Sequence, residues 1–415
     1  MRVVAPFMPD DAKLAAVRAG LPSTAAGIQL NTGSVGPMPA ETARAMAELE
    51  ERGLTVGRAH PADALDFLDR VDEARAAIAA VLGANVDAIA LTHAATDGMN
   101  LATWAIDWRA GDRAVTTQHE HPGGLGALYV LRDRLGIELD FVDVGDGDDD
   151  DATLAAFDQA IRPGTRLVSL SHVLWTTGGR LPVRAIADLA HERGASVLVD
   201  GAQAAGAIPV DVAALGADAY AVAGQKWLLG PEGTGALYVA PALLERGRMT
   251  FGGWFSFERI DAAGTAVAHR DARRFQATGY HRPSVLGLAR SASWLSMYVG
   301  LDWIHRRGSA LARSAADRLA AVPGVRVLTP RERMATLVTF RVDGWPADAV
   351  LHELGARVFA VARTIPALDA VRLSVGFFNT EAEIERVVGV VGLVAAHTPA
   401  TLPPRKTLAM LGSDG

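Results

Sequence analysis

Val197-Leu-Val-Asp-Gly-Ala-Gln-Ala-Ala-Gly206 and Ala221-Val-Ala-Gly-Gln-Lys-Trp-Leu-Leu-Gly-Pro-Glu-Gly233 decide how this chain is read. The first opens on an apolar run that ends at Asp200. The second follows from a similar run at 217–224 and places Lys226 in the loop behind it. Short apolar runs bounded by turn residues predict buried strands, and in open α/β sheets ligands sit beyond the carboxyl ends of the strands. Asp200 and Lys226 therefore point into one crevice. Alone, an Asp at a strand end is usually a helix cap and a Lys is usually solvated. Here Lys226 lies among Ala223, Gly224, Trp227 and Gly230, where an unpaired ammonium is costly to bury. The pair suits pyridoxal phosphate, with the lysine forming a Schiff base and the carboxylate keeping the pyridine nitrogen protonated.

Outward from this pair the chain alternates. Phe67, Val71, Ala74, Ile78 and Val81 recur at steps of three and four, which predicts one buried helix face. β-rich runs near 89–91 and at 113–117, 137–142, 166–170 and 195–200 are separated by helical patterns, as in a mostly parallel sheet covered on both faces. Beyond about residue 290 a long helical stretch leads to short strands at 325–328, 335–342, 357–361 and 371–375. Helices are predicted at 347–354 and 380–396. The expected division is an N-terminal segment 1–24 packing with the small domain, a large cofactor-binding domain 25–290, a small α+β domain 291–397 and a tail 398–415. The acidic run Asp143–Asp151 lacks the glycine and glutamate of a calcium loop and reads as a solvated turn, so no metal site is expected.

With 415 residues, two unequal lobes are expected. A net charge of -7 argues against a nucleic-acid partner. No apolar run is long enough to span a membrane and the N-terminus has no signal-peptide pattern, so a cytoplasmic protein is expected. The cysteine count is 0, which removes disulfides, thiolate ligands and any enzyme-borne sulfur nucleophile.

Several further strings join the two that open this section. They are Ala95-Thr-Asp-Gly-Met-Asn100, Glu120-His-Pro-Gly123, Leu170-Ser-His-Val-Leu-Trp-Thr-Thr-Gly178, Gly252-Gly-Trp254, Arg274-Phe-Gln276 and Ala362-Arg-Thr-Ile365. Together the chain resembles the class V aminotransferases, and within them the cysteine desulfurase and cysteine/cystine C–S lyase enzymes. The resemblance implies the fold-type I architecture, a mostly parallel seven-stranded sheet sandwiched by helices with a smaller α+β C-terminal domain. It also implies a homodimer with sites at the interface.

Residue by residue, the resemblance implies Lys226 as the Schiff-base lysine, Asp200 as partner of the pyridinium and His121 as the ring-stacking, proton-passing residue. It gives Ala95 and Thr96 to the phosphate, at a helix start whose free N–H groups already favour an anion. Gln203 matches the phenolic-oxygen contact, and His172 lines the ring. Gln225 stands where the family commonly has histidine, and Ala223 where many members have a hydroxyl. Thr278 is the nearest hydroxyl to a phosphate contact that crosses from a second subunit. Arg372 matches the clamp for the substrate α-carboxylate, Asn31 and Gly33 a loop that closes over the substrate, and Trp175 a position where desulfurases carry asparagine.

These assignments predict a lyase that cleaves cystine or an S-substituted cysteine by β-elimination to pyruvate, ammonia and a persulfide or thiol. A thiol-dependent desulfurase is excluded by the absence of cysteine. The competing readings are a class V aminotransferase or an isopenicillin N epimerase-like enzyme, and, from another class, a non-catalytic cofactor-binding scaffold.

Overall fold

The structure is a computed structural model that describes residues 7–277 and 279–405. Seven strands form the main sheet: β1 (Ile89–Thr92), β2 (Arg113–Thr117), β3 (Glu138–Val142), β4 (Thr165–Ser171), β5 (Ser196–Asp200), β6 (Ala219–Ala223) and β7 (Gly235–Val239). Their order is β1-β7-β6-β5-β4-β2-β3, and only β7 runs against its neighbours. Every residue of β5, β6 and β7 is buried, as a sheet with both faces covered requires. The helix Pro61–Leu82 packs on the sheet through Phe67, Val71, Ala74, Ile78 and Val81, the face predicted from spacing. The fold class is therefore the one expected.

Because β1, β2, β4, β5 and β6 run parallel, their carboxyl ends share one edge of the sheet. Onto that edge fall Ala95 and Thr96, His121, His172, Asp200 with Gln203, and Gln225 with Lys226. Local chemistry sets each exit. The helix Pro122–Leu135 starts with proline at its first position and with the His121 ring as its cap. The strand β5 turns at Gly201, where a Cβ would stand 1.9 Å from the Tyr220 ring. Only glycine lets Tyr220 pack this close to Asp200. The loop 143–149 continues into the helix Asp150–Ala160, whose first turn is capped by Asp149.

The smaller sheet is antiparallel: β8 (Val325–Val327), β9 (Leu337–Val342), β10 (Arg363–Ile365) and β11 (Ala370–Ser374), in the order β8-β9-β11-β10. Val338, Phe340, Val371 and Leu373 pack against the helices Leu301–Ala320 and Glu381–Ala395. One expectation fails here. Residues 357–361 were predicted as a single strand, but the helix Ala347–Val358 runs through Arg357 and Val358 because Val350, Leu354 and Val358 continue one buried face. Phe359 ends it in the left-handed region at φ 56°, leaving only Ala360–Val361 as a strand. That strand pairs in parallel with Ile28–Gln29 and so anchors the loop that follows residue 30. Among the described residues no helix is long and apolar enough to cross a membrane.

Candidate active site

Asp200 is buried at the end of β5, and its Oδ1 accepts from the Ala202 N–H at 2.9 Å. Lys226 reaches the same crevice from the turn after β6. That turn closes through Leu229 at φ 55°, a left-handed conformation costing a non-glycine residue on the order of 1 kcal/mol. Burial holds the Lys226 amine below the ordinary lysine range; Asp200 opposes the shift, while Arg372 and Arg363 reinforce it. The sequence contains three lysines, Lys13, Lys226 and Lys406, and among the described residues Lys226 is the lysine that interacts with Asp200.

His121 accepts the Gly123 N–H at Nδ1 (3.1 Å), so its neutral ring carries the proton on Nε2. Burial, then the Lys226 charge, holds it below the usual histidine range. A Cβ on Gly123 would lie 2.4 Å from Thr96 Oγ1, so the His121 turn and the start of the helix Ala95–Trp104 touch. His172 is turned into the protein, with Nδ1 2.9 Å from the Tyr220 hydroxyl, and burial pushes it down to about 4, so it stays neutral. Gln203 donates from Nε2 to Gly33 O (2.8 Å) and accepts from Trp227 Nε1 (3.1 Å). His119 lies at Gly145 O through Nε2 (2.7 Å) and at Thr176 Oγ1 through Nδ1 (2.8 Å). Thr278 lies outside the described residues.

The opposite wall comes from the small domain. Arg372 on β11 is 0% exposed. Its Nη1 donates to Trp175 O at 2.6 Å, but the buried Nε and Nη2 have no acceptor. Burial, then the neighbouring Arg363, lowers the guanidinium to about 9. Arg363 is the register partner of Arg372 on β10; it donates to Ser34 Oγ at 3.2 Å and stacks 5.5 Å from the centre of the Trp175 ring. Trp175 in turn meets His121 edge-on at 5.4 Å. The loop 31–36 spans the gap between the walls. Asn31 bridges to Ser374 and the Gly36 N–H donates to Gln225 O at 2.8 Å. A Cβ on Gly33 would stand 2.7 Å from Arg372 Nη2 and 2.9 Å from Gln203 Oε1, so any side chain here would displace polar groups of the site.

The structure sets Asp200, Lys226, Gln203, Gln225, Trp175, Arg372, Asn31 and Gly33 around one crevice, with His121 against Trp175 and Thr96 against the His121 turn, while His172 is turned to Tyr220. It adds four that sequence reasoning gave no role: Arg363, Thr32, Ser374 and Tyr220. Arg363 carried a signal, an arginine inside a quoted motif; single hydroxyls at 32 and 374 carried none. Six buried polar atoms around the crevice lack any partner: Thr32 Oγ1, Trp175 Nε1, Gln225 Oε1, Arg372 Nε and Nη2, and Ser374 Oγ. Unsatisfied buried groups cost about 1–3 kcal/mol each, so such a concentration marks a site built for a polar ligand. A helix start for a phosphate, a carboxylate for a pyridine nitrogen and a buried lysine interacting with that carboxylate fit pyridoxal phosphate.

Comparison with known proteins agrees. The aminotransferase class-V family model matches residues 36–387. An isopenicillin N epimerase from Streptomyces clavuligerus is 32% identical over 381 residues, covering 87% of this chain and 93% of the epimerase. A probable cysteine desulfurase from Methanothermobacter thermautotrophicus is 26% identical, over 89% of this chain and 95% of its own. Among solved structures, the cystine C–S lyase C-DES with its reaction product cysteine persulfide superposes with a TM-score of 0.84 at 27% identity, covering 90% of this chain and 99% of that one. A C-DES variant with the same TM-score holds glycine covalently linked to its PLP cofactor. The chain belongs to the class-V aminotransferase family and is a pyridoxal-phosphate enzyme of fold type I, related to the cysteine desulfurases, the cystine C–S lyase and isopenicillin N epimerase.

Proposed function

We propose that this enzyme is an amino-acid lyase that cleaves the C–S bond of cystine or a related S-substituted cysteine, releasing pyruvate, ammonia and a persulfide or thiol. One observation carries the reading. Arg372 and Arg363 stand side by side at the substrate wall, and among the described residues no carboxylate pairs with either. Cystine brings two carboxylates. One meets the idle Nε and Nη2 edge of Arg372, where a guanidinium takes a carboxylate through two parallel bonds, and the other lies towards Arg363.

When bound, pyridoxal phosphate supplies a sink for the electron pair left at the substrate α-carbon. Thr96, with the N-terminus of its helix, and Gln225 would hold its phosphate, and Asp200 its ring nitrogen. Lys226, whose burial favours the neutral amine, takes the α-proton at Nζ. His121, neutral and carrying its proton on Nε2, can donate a hydrogen bond to the sulfur that departs as an anion. The absence of cysteine leaves no enzyme thiolate to capture sulfur, so sulfur must depart on its own carrier. A persulfide leaves more readily than sulfide, which favours cystine over cysteine. The same reading takes a second copy of the chain as partner and the cytoplasm as location.

The second reading is an epimerase or aminotransferase, favoured by the 32% identity to isopenicillin N epimerase. Purified holoenzyme incubated with cystine, S-methylcysteine, cysteine and alanine separates them. The lyase reading expects pyruvate and ammonia from cystine without any keto acid. Racemised amino acid with no pyruvate, or turnover that requires a keto-acid acceptor, would replace it.

A further inference from the structure

Glu120 is buried beneath the site and has no part in the chemistry above. Its Oε1 accepts from the Thr117 hydroxyl (2.7 Å) and the Ser171 N–H (3.0 Å), and its Oε2 accepts from the Ser171 hydroxyl (2.6 Å). Thr117 ends β2 and Ser171 ends β4, and Ser171 is the register partner of Asp200 on β5. His121 and His172 follow Glu120 and Ser171 directly in the chain. One carboxyl group thus joins the strand ends that present His121, His172 and Asp200.

We propose that Glu120 is a positioning residue of the cofactor site: it fixes the His121 turn on the strand ends and places a second negative charge beside Asp200, strengthening Asp200's hold on a protonated pyridine nitrogen. The charge can be present or absent near neutrality. Burial pushes the Glu120 carboxyl up to about 7, the Ser171 and Thr117 bonds resist, and Asp200 adds to the push. The other ionisable neighbours are engaged elsewhere: His119 with Gly145 O and Thr176, His121 with the Gly123 N–H, and His172 with Tyr220. A protonated ring nitrogen against Asp200 cancels the repulsion felt by Glu120, so a seated cofactor favours its ionisation. By reciprocity, ionised Glu120 favours a seated cofactor. A purely mechanical brace would act equally at every pH. This inference uses the cofactor site alone, so it stands or falls independently of the lyase reaction.

The test is cofactor retention without substrate, read as absorbance of protein-bound pyridoxal phosphate during equilibrium dialysis of holoenzyme. Glu120→Gln keeps the shape of the side chain but cannot ionise. Relative to the unaltered enzyme it should lose about tenfold in affinity at about pH 8 and less than about twofold at about pH 6. Equal losses at both pH values, or none at either, would overturn the proposal. Ser171→Ala provides a second arm should the first variant fold poorly. It removes a donor that favours the ionised carboxyl, so the rise in retention with pH should move upward. An unmoved profile in that variant also overturns the proposal.

Discussion

At the scale of single residues, the site is defined by groups that have been buried without being satisfied. Lys226 is the case where identity matters most, since of the other two lysines Lys13 sits over Trp303 and Lys406 lies outside the described residues. Lys226→Ala should abolish both the visible absorbance of bound cofactor and turnover; a variant that keeps either would displace the central assignment. On the proposed reading the two arginines each take one carboxylate of cystine. Arg372→Lys keeps a charge but loses the planar fork, so kcat/KM should fall by about 1.5–3 kcal/mol for every amino acid tested. Arg363→Gln should penalise cystine while sparing S-methylcysteine, which has one carboxylate. Equal losses on both substrates would mean that Arg363 only shapes the pocket.

Among the elements, the loop 175–178 decides how the two lobes meet. Four consecutive carbonyls accept from the small domain: Trp175 O from Arg372 Nη1 (2.6 Å), Thr176 O from Thr339 Oγ1 (2.7 Å), Thr177 O from Thr329 Oγ1 (2.5 Å) and Gly178 O from the Ala335 N–H (3.3 Å). Gly178 is required, at φ 83° and with room for no Cβ against Leu337. On its other side the loop is tied to the large domain through His119 with Thr176 and through the Thr177 hydroxyl donating to Asp146 O. Trp175 and Arg372 are therefore set in one another's frame before substrate arrives, a preorganisation that favours tight positioning of the carboxylate. Thr339→Val is close to isosteric but leaves Thr176 O without its donor. It should cost about 1–3 kcal/mol in stability and raise KM more than it lowers kcat, measured by denaturant midpoint and steady-state kinetics. An unchanged midpoint would mean that the seam holds without this bond.

For the whole molecule, buried ionisable groups set how stability follows pH, and they pull in opposite directions. His172 and His305 are both lowered from 6.5 to about 4 by burial. Between those values the unfolded chain binds protons that the folded chain refuses, so stability rises with pH through that window. Glu120 is raised from 4.5 to about 7, again by burial first. Between 4.5 and 7 the folded chain keeps a proton that the unfolded chain releases, so its contribution falls as pH rises. Removing one side exposes the other. Glu120→Gln should make the unfolding free energy, measured by denaturant titration, climb more steeply between pH 4.5 and 6.5 than in the unaltered protein, by about one proton's worth, or about 1.4 kcal/mol per pH unit. A parallel pair of curves would show that Glu120 titrates normally.

The sequence by itself determined the alternating α/β fold, the strand ends carrying Asp200 and Lys226, and the buried face of the helix Pro61–Leu82. These follow from period and local turn chemistry, which each segment states without reference to the others. It also gives the cysteine count of the 415 residues, 0, which is a matter of composition. Tertiary structure alone decided that Arg363 stands next to Arg372, because antiparallel register, not spacing, pairs them. The same holds for Thr32 and Ser374, ordinary hydroxyls until the loop 31–36 and β11 bury them without partners. The limit of strand at 357–361 was likewise fixed by packing, since Val358 completes a helix face that local pattern could not tell from an edge strand. Glu120 shows the division within one residue: the chain places it next to His121, but only the alignment of β2, β4 and β5 turns it into a brace beneath Asp200.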